Sequence, residues 1–329
     1  MKAIKISDRS PEFVLPIIAL DRPAPAKGQV LVKVKAAGVN FADIMQYQNR
    51  YPRSISTPYI PGYEVAGYIV EIGEGINTIE IGTPVMTLMP EGGAYAEFVL
   101  VDANRCVPIP KGLEYEQATA LLTQGITANI MIDKFVGADH DIFISAASGG
   151  VGNLAVQLAL LQIKEQKGTG KVYAATSNPD RAGMLKGLGA VIIDYSQENW
   201  AIQLQLDKIG FDVVLDSVGG ETFEHAWFLL KDFGTLVSFG SASNNDIILS
   251  SQKILNQHFK NTNLHFFGFT RHLEADPSLL KKSMQKLFTL CSEGKITFPL
   301  SVYLGLENAL QAWVDMAGRK TRGKVVIKL

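Results

Sequence analysis

A chain of 329 residues with 47% apolar and 19% charged residues is long enough for two hydrophobic cores and too apolar to be disordered. Basic and acidic side chains nearly cancel to a formal charge of −1, so no basic field invites nucleic acid. Its two cysteines, Cys106 and Cys291, stand far apart, which excludes a disulfide framework and a cysteine-rich zinc lobe and fits a reducing compartment.

In chain order, MKAIKISDRSPEFV alternates apolar and polar residues, predicts a strand and lacks the apolar centre of a signal peptide. The runs QVLVKVKAAGV, YEVAGYIVEIG, TPVMTLM and YAEFVLV are short and bounded by Gly and Pro, predicting a β-rich module from Met1 to Pro110. LEYEQATALLTQGITANIMIDKF then takes on helical spacing. Beyond it strands and helices alternate: DIFISA, VGNLAVQLALLQI, KVYAAT, NPDRAGMLKGLG, VIIDY, NWAIQLQLDKI, FDVVLDSV, ETFEHAWFLL and GTLVSFG. That alternation predicts βαβ units and a parallel sheet covered by helices on both faces. A long helix, SLLKKSMQKLFTLCSEG, and a final strand, GKVVIKL, complete the chain. Gly, Gln or Asn interrupts every apolar run before the ~20 residues of a membrane span, so a soluble cytoplasmic protein is expected.

The stretch SAASGGVGNLA, 145–155, joins a predicted strand to a predicted helix. Ala147-x-Gly149-x-x-Gly152 is a GxGxxG fingerprint with Ala in its first place. A pyrophosphate needs main-chain N–H groups aimed at it with no Cβ in the way, and a glycine turn feeding a helix N-terminus supplies them. Gly149, with Gly150 and Val151 beside it, would let the backbone approach phosphate, and Gly152 would let the helix pack on its strand. An isolated match is weak, but the surrounding βα units make this a dinucleotide site. NAD-specific sites end the second strand with an acid; here Thr176, Ser177 and Asn178 stand there, and Arg181 follows within a helical turn. Small hydroxyls and an arginine suit a 2′-phosphate, so NADP(H) is the expected cofactor. Asp180 reads as a partner of the helix dipole, and Arg181 has the alternative of a solvated helix residue.

The chain resembles the zinc-independent medium-chain dehydrogenase/reductase superfamily, in its quinone oxidoreductase-like branch. The motifs that carry the likeness run in order along the chain: AGVNFADIMQYQNRYP (37–52), PYIPGYEVAG (58–67), GGAYAEF (92–98), ATALLTQGITA (118–128), SAASGGVG (145–152), FDVVLDSVGG (211–220), LVSFGSAS (236–243) and GKVVIKL (323–329). The resemblance implies an α/β fold in which a Rossmann doubly wound parallel sheet is inserted in a GroES-like β-rich catalytic domain. Residues 1–120 plus 260–329 would form the catalytic domain and 121–259 the dinucleotide-binding domain. It also implies an active site in the cleft between domains and a homodimer joined through the Rossmann sheets.

Zinc-dependent relatives ligate the catalytic metal through a cysteine in the first motif and a histidine in a GHE motif. This sequence has Asn40 and Tyr63 in those places, so no metal is expected. Without a metal, the acceptor must itself delocalise the incoming charge, which suits quinones and α,β-unsaturated carbonyls. By resemblance, Asn40 contacts the nicotinamide ribose or the substrate and Tyr51 lines the acceptor pocket, the two forming the catalytic set. Thr127 contacts the cofactor, Tyr195 sits beside the 2′-phosphate, and Phe239, Gly240, Phe267 and Phe269 wall the nicotinamide. Lys324 reaches back to the cofactor. The family's earlier tyrosine is replaced by Met45, with Tyr47 two residues on.

Asp43 reads as a cap of the short helix after Asn40, and the five histidines show no ligand spacing. LLQIKEQKGTGKV is longer than the usual helix-to-strand turn and is expected to bulge near the adenosine edge. The leading function is NADPH-dependent hydride transfer to a quinone or enone. The alternatives are a 2-alkenal or enoyl-thioester reductase, for which Arg50 and Arg53 are suggestive, and a non-catalytic NADPH-binding protein.

Overall fold

The computed structural model describes residues 1–329 except Arg53, Asn244 and the side chain of Pro179. In chain order its first strands are β1 (Lys2–Ile4), β2 (Ile17–Ala19), β3 (Gln29–Val39), β4 (Glu64–Ile72), β5 (Pro84–Leu88), β6 (Phe98–Asp102) and β7 (Val107–Pro108). Helix α1 (Phe41–Tyr47) lies between β3 and β4, and α2 (Tyr115–Ala120) and α3 (Ile126–Phe135) follow β7. Next come β8 (Ile142–Ile144), α4 (Gly150–Glu165), β9 (Val172–Thr176), β10 (Val191–Asp194), β11 (Phe211–Asp216), β12 (Leu230–Ser238) and β13 (Asn263–Phe266). The chain closes with β14 (Leu300–Leu304) and β15 (Lys324–Lys328).

Two compact units result, one of residues 1–124 and 298–329, the other of residues 125–297. The first is built on a seven-stranded sheet in the order β14-β15-β3-β4-β5-β7, with β6 also on β3. β3 is eleven residues long and nearly all buried, so it can pair β15, β4 and β6 and act as the spine of the sheet. Its core gathers Tyr47, Tyr95 and Trp313, all under 2% exposed, with Tyr47 and Trp313 ring centroids 5.8 Å apart and edge-on. The N-terminal strand is much shorter than its alternation predicts. Past Ile4 only an isolated bridge from Ile6 to Tyr59 continues it, and the Ser10 and Val14 N–H groups go to the Tyr47 hydroxyl instead.

The second unit carries a six-stranded parallel sheet in the order β10-β9-β8-β11-β12-β13. The strand order reverses between β8 and β11, the topological switch point of a doubly wound fold. Phe143, Trp200, Phe211 and Trp227 fill the core on one face, Phe143 stacking on Trp200 at 5.5 Å.

Residues 260–297 belong to this second unit, which corrects the expected division at 260. The cause is β13, whose four residues NLHF pair in parallel with β12 from Asn263 opposite Thr235 to Phe266 opposite Ser238. Helix Ser278–Ser292 then buries Met284, Leu287 and Leu290, and its Ser283 hydroxyl accepts from Asn129 Nδ2 of α3 at 3.2 Å. The other division lies at 124/125, within a π-helical turn, Leu121–Gly125, that links α2 to α3.

The extension after α4 is also placed differently from expectation. It leads into the start of β9, where Thr169 N–H and hydroxyl both bond Asp139 Oδ1 and Gly170 N–H bonds the Ala138 carbonyl. These contacts hold it at the N-terminal edge of the sheet, whereas Arg181 follows the C-terminal end of β9.

Candidate active site

The expected site residues divide between the units: Asn40, Tyr51 and Lys324 lie in the first, the remainder in the second. In the second unit all but Thr127 fall just beyond the C-terminal ends of parallel strands, where ligands of open α/β sheets bind. Thr127 is on the first turn of α3 and buried.

After β8 the chain turns through Ala146, the residue that adopts the left-handed conformation, with φ +46. Ala147 is fully buried and hangs on β9 by an N–H bond to the Ala175 carbonyl at 2.9 Å. The tight turn is thus made one residue before the first fingerprint position, which explains why Ala147 is tolerated there. Gly149 is the extended cap of α4, its N–H on the Ala146 carbonyl at 2.8 Å. The N–H groups of Gly150, Val151 and Gly152 form the first turn of a sixteen-residue helix and have no carbonyl one turn earlier to bond. A Cβ on Gly152 would lie 2.5 Å from the Ala146 carbonyl oxygen and 2.8 Å from Ala147 Cα, so only glycine lets the helix sit this close to the turn.

At the end of β9, Thr176 Oγ1 is 3.3 Å from Ser148 Oγ of the fingerprint turn and also receives the Asn178 N–H. Ser177 and Asn178 follow half-buried, and Arg181 closes a 3₁₀ turn, Pro179–Arg181. Tyr195 follows β10 with its N–H on the Thr176 carbonyl, so Ser177, Arg181 and Tyr195 come from neighbouring strand ends. Asp180 is exposed in the first turn of the 3₁₀ segment. The acid nearest to Thr176 in the sheet register is Asp194, whose carboxylate is occupied by Ser196 and Gln197 at 2.6–3.0 Å. These residues fit a 2′-phosphorylated dinucleotide.

Phe239 and Gly240 follow β12, Phe267 and Phe269 follow β13, and Phe267 N–H bonds the Ser238 carbonyl at 2.8 Å. Phe267 is buried and stacked on His272 at 4.7 Å. Asp216 at the end of β11 escaped the sequence reading. It accepts from Val218 and Gly219 N–H, shaping the loop at the switch point, and burial raises its pKa.

In the first unit a buried polar network surrounds Asn40. Its Oδ1 accepts from Lys324 Nζ at 2.9 Å, and its Nδ2 donates to Glu64 Oε1 at 2.9 Å. Lys324 also donates to Glu64 Oε1 and, at 3.1 Å, to the Val39 carbonyl. Glu64 Oε2 accepts from Thr123 N–H at 2.8 Å. All three donors of the ammonium are therefore spent within the unit, and at 1% exposure Lys324 does not reach a cofactor as GKVV implied. It supports Asn40 instead. Gly38 leaves room for this, since a Cβ there would be 2.4 Å from Glu64 Oε1. The sequence signal for Glu64 is an acid inside an apolar strand, EVAGYIVEI.

Asp43 caps α1 as anticipated, accepting Asn40 N–H at 2.8 Å, and also takes Gly62 N–H at 3.0 Å and the Tyr95 hydroxyl at 3.3 Å. Burial pushes its carboxyl up to about 7 against the pull of the Asn40 N–H and the Lys324 charge. Burial, and then the Asp43 charge, raise Tyr95 well above the usual phenol. Tyr51 is 37% exposed, its ring 6.3 Å from that of Tyr63. Tyr47 is a core residue, donating to the Glu12 carbonyl. Arg50 is exposed and bonds Gln48, and Arg53 lies outside the described residues.

No helix among the described residues is long and apolar enough to cross a membrane. Family models match in two places: an alcohol dehydrogenase GroES-like domain over residues 26–111 and a zinc-binding dehydrogenase over 187–327. A quinone oxidoreductase of Pseudomonas aeruginosa is 31% identical over 313 residues, 92% of each chain. The synaptic vesicle membrane protein VAT-1 homolog of Rattus norvegicus is 29% identical over 322 residues, covering 93% of this chain and 78% of its own. The structure of Escherichia coli quinone oxidoreductase complexed with NADPH matches at a TM-score of 0.89 and 26% identity, covering 100% of both chains. The zinc of the second family model does not fit the residues here. Asn40 and Tyr63 replace two ligands, Glu64 is tied to an ammonium, and no group of three His, Cys, Asp or Glu among the described residues could hold a metal.

Proposed function

Since the chain belongs to the zinc-independent medium-chain dehydrogenase/reductase superfamily, in its quinone oxidoreductase-like branch, we propose that it is an NADPH-dependent oxidoreductase that reduces a quinone or another α,β-unsaturated carbonyl. The observation that carries this is the first turn of α4. There the N–H groups of Gly150, Val151 and Gly152 can hold a pyrophosphate at a helix N-terminus, beside a strand end with no acid over Thr176, Ser177 and Asn178 and with Arg181 following.

Bound there, NADPH would supply a hydride, two electrons with one proton, and the second proton of the reduced acceptor would come from water. The chain's own part is placement. The α4 turn holds the diphosphate, Arg181 and Tyr195 take the 2′-phosphate, and Phe239, Gly240, Phe267 and Phe269 keep water from the nicotinamide. Thr127 and Asn40 contact the cofactor or acceptor, with Asn40 fixed by Lys324 and Glu64, and Tyr51 lines the acceptor side. No Ser-His-Asp constellation is needed, because a conjugated acceptor spreads the charge it receives.

The test is NADPH oxidation with small quinones and an enone panel, run in parallel with NADH. Turnover with NADPH above NADH supports the reading; absence of turnover with every acceptor, despite tight NADPH binding, favours a non-catalytic cofactor-binding protein.

The assembly proposed is a homodimer in which β13 meets its counterpart. β13 is the last strand of its sheet, and Phe266 on it is 73% exposed, an edge that invites another strand. Sedimentation at micromolar concentration checks it: a species of twice the chain mass is expected, and a monomer contradicts it.

A further inference from the structure

Tyr63 stands where zinc-dependent relatives carry a metal-binding histidine, and its ring pairs with that of Tyr51, a residue expected at the acceptor pocket. We propose that Tyr63 and Tyr51 together form an aromatic platform on which a planar, conjugated acceptor stacks, and that Tyr63 sets the preference for ring-bearing quinones over open-chain enals. The proposal rests on the reductase reading of the site and adds to it the class of acceptor.

The two rings lie 6.3 Å apart at an interplanar angle of 34°, within the range of attractive aromatic pairs and too close for a third ring between them. An acceptor ring therefore stacks on the outside of the pair and not between its two rings. Tyr51 is 37% exposed and Tyr63 half-buried, in contrast to the structural tyrosines of the same unit. Tyr47 and Tyr95 are at most 1% exposed and have their hydroxyls bonded in the interior.

The platform is also held rigidly. Gly62 N–H is fixed by the Asp43 carboxylate, the Tyr63 carbonyl accepts Met89 N–H at 2.7 Å, and both oxygens of Glu64 are taken by Asn40, Lys324 and Thr123. Gly62 has φ +94, and a Cβ there would strike the Tyr95 ring at 2.5 Å, so the approach of this segment has no alternative path. Tyr51 is tied by its N–H to the Met45 carbonyl at the end of α1. A tyrosine ring on such a backbone has two side-chain torsions to fix, so stacking costs little entropy. An aromatic acceptor gains from this face; a short alkenal has no ring to place on it.

The experiment is steady-state kinetics of the full chain with NADPH and either menadione or crotonaldehyde. In Tyr63→Leu the kcat/KM for menadione is expected to fall about tenfold through KM, while that for crotonaldehyde stays within about twofold. Tyr63→Phe should retain the preference. A measurement on the unaltered protein avoids reliance on a variant's folding: naphthol should compete with menadione, and decalol, the same skeleton without π electrons, should not. Equal loss with both acceptors, no loss with either, or equal inhibition by naphthol and decalol overturns the platform. If the unaltered protein oxidises NADPH with both acceptors and these results appear, the reductase reading survives; if it oxidises NADPH with neither acceptor, both fall.

Discussion

Lys324 and Glu64 form an ion pair with both side chains withdrawn from water, at 1% and 0% exposure, between the last strand of the first unit and the first residue of β4. Each charge has further partners: Asn40 and Val39 for the ammonium, Asn40 and Thr123 for the carboxylate. Such a pair is costly to break from one side, because the remaining charge stays buried. Lys324→Met should destabilise the protein by about 3–5 kcal/mol in urea unfolding, and Lys324→Met with Glu64→Leu should recover part of that loss. Equal losses in the single and double variants would refute the pairing.

Gly152 and Gly149 should respond differently to one added methyl group. In Gly152→Ala the new carbon meets backbone at 2.5 Å and 2.8 Å, which cannot yield without moving α4. A loss of about 1–3 kcal/mol is expected, with NADPH affinity reduced about tenfold or more. In Gly149→Ala the nearest contact is 3.1 Å from a single carbonyl oxygen, so the loss of stability should be smaller. Calorimetry and urea unfolding of the two variants check the order.

Arg181→Ala tests the choice of coenzyme. A guanidinium on the 2′-phosphate contributes a charged hydrogen bond, so NADPH binding should weaken about tenfold while NADH binding is unmoved. Equal weakening of both would assign Arg181 to the local fold instead.

Asp43 imposes a pH dependence of definite sign. Its folded pKa, about 7, lies above the ordinary carboxyl value of 3.8, with burial the largest cause. A raised carboxyl binds its proton more tightly when folded, so its stabilising contribution is complete below the unfolded pKa and is lost as pH rises through about 7. Between about pH 5 and about pH 8, Asp43→Asn should therefore lose less stability than the unaltered protein. Matching slopes of the urea midpoint against pH would refute this.

Much of this architecture could be read from local pattern. QVLVKVKAAGV becomes β3 with the same bounds because its valines must alternate into a core, and the fingerprint turn is recognisable because glycine there has a steric reason. β13 was not legible: NLHF alternates over only four residues directly after a helical run, too short a pattern to stand as a strand, and its pairing with β12 is what makes it one, which is why the division at 260 failed. Lys324 was misplaced because lysine is almost never fully buried unless paired, and its partner lies 260 positions earlier. Tyr63 could be noticed as a replacement for a metal ligand, but its ring partner Tyr51 needed coordinates. The extension after α4 went to the opposite edge of the sheet because Asp139 and Ala138 hold it, contacts that no spacing announces.

The most direct test of the whole account is calorimetric titration of the folded chain with NADPH and with NADH. One NADPH per chain, bound more tightly than NADH and weakened by Gly152→Ala, is the predicted result. A folded protein that takes up neither coenzyme would contradict it.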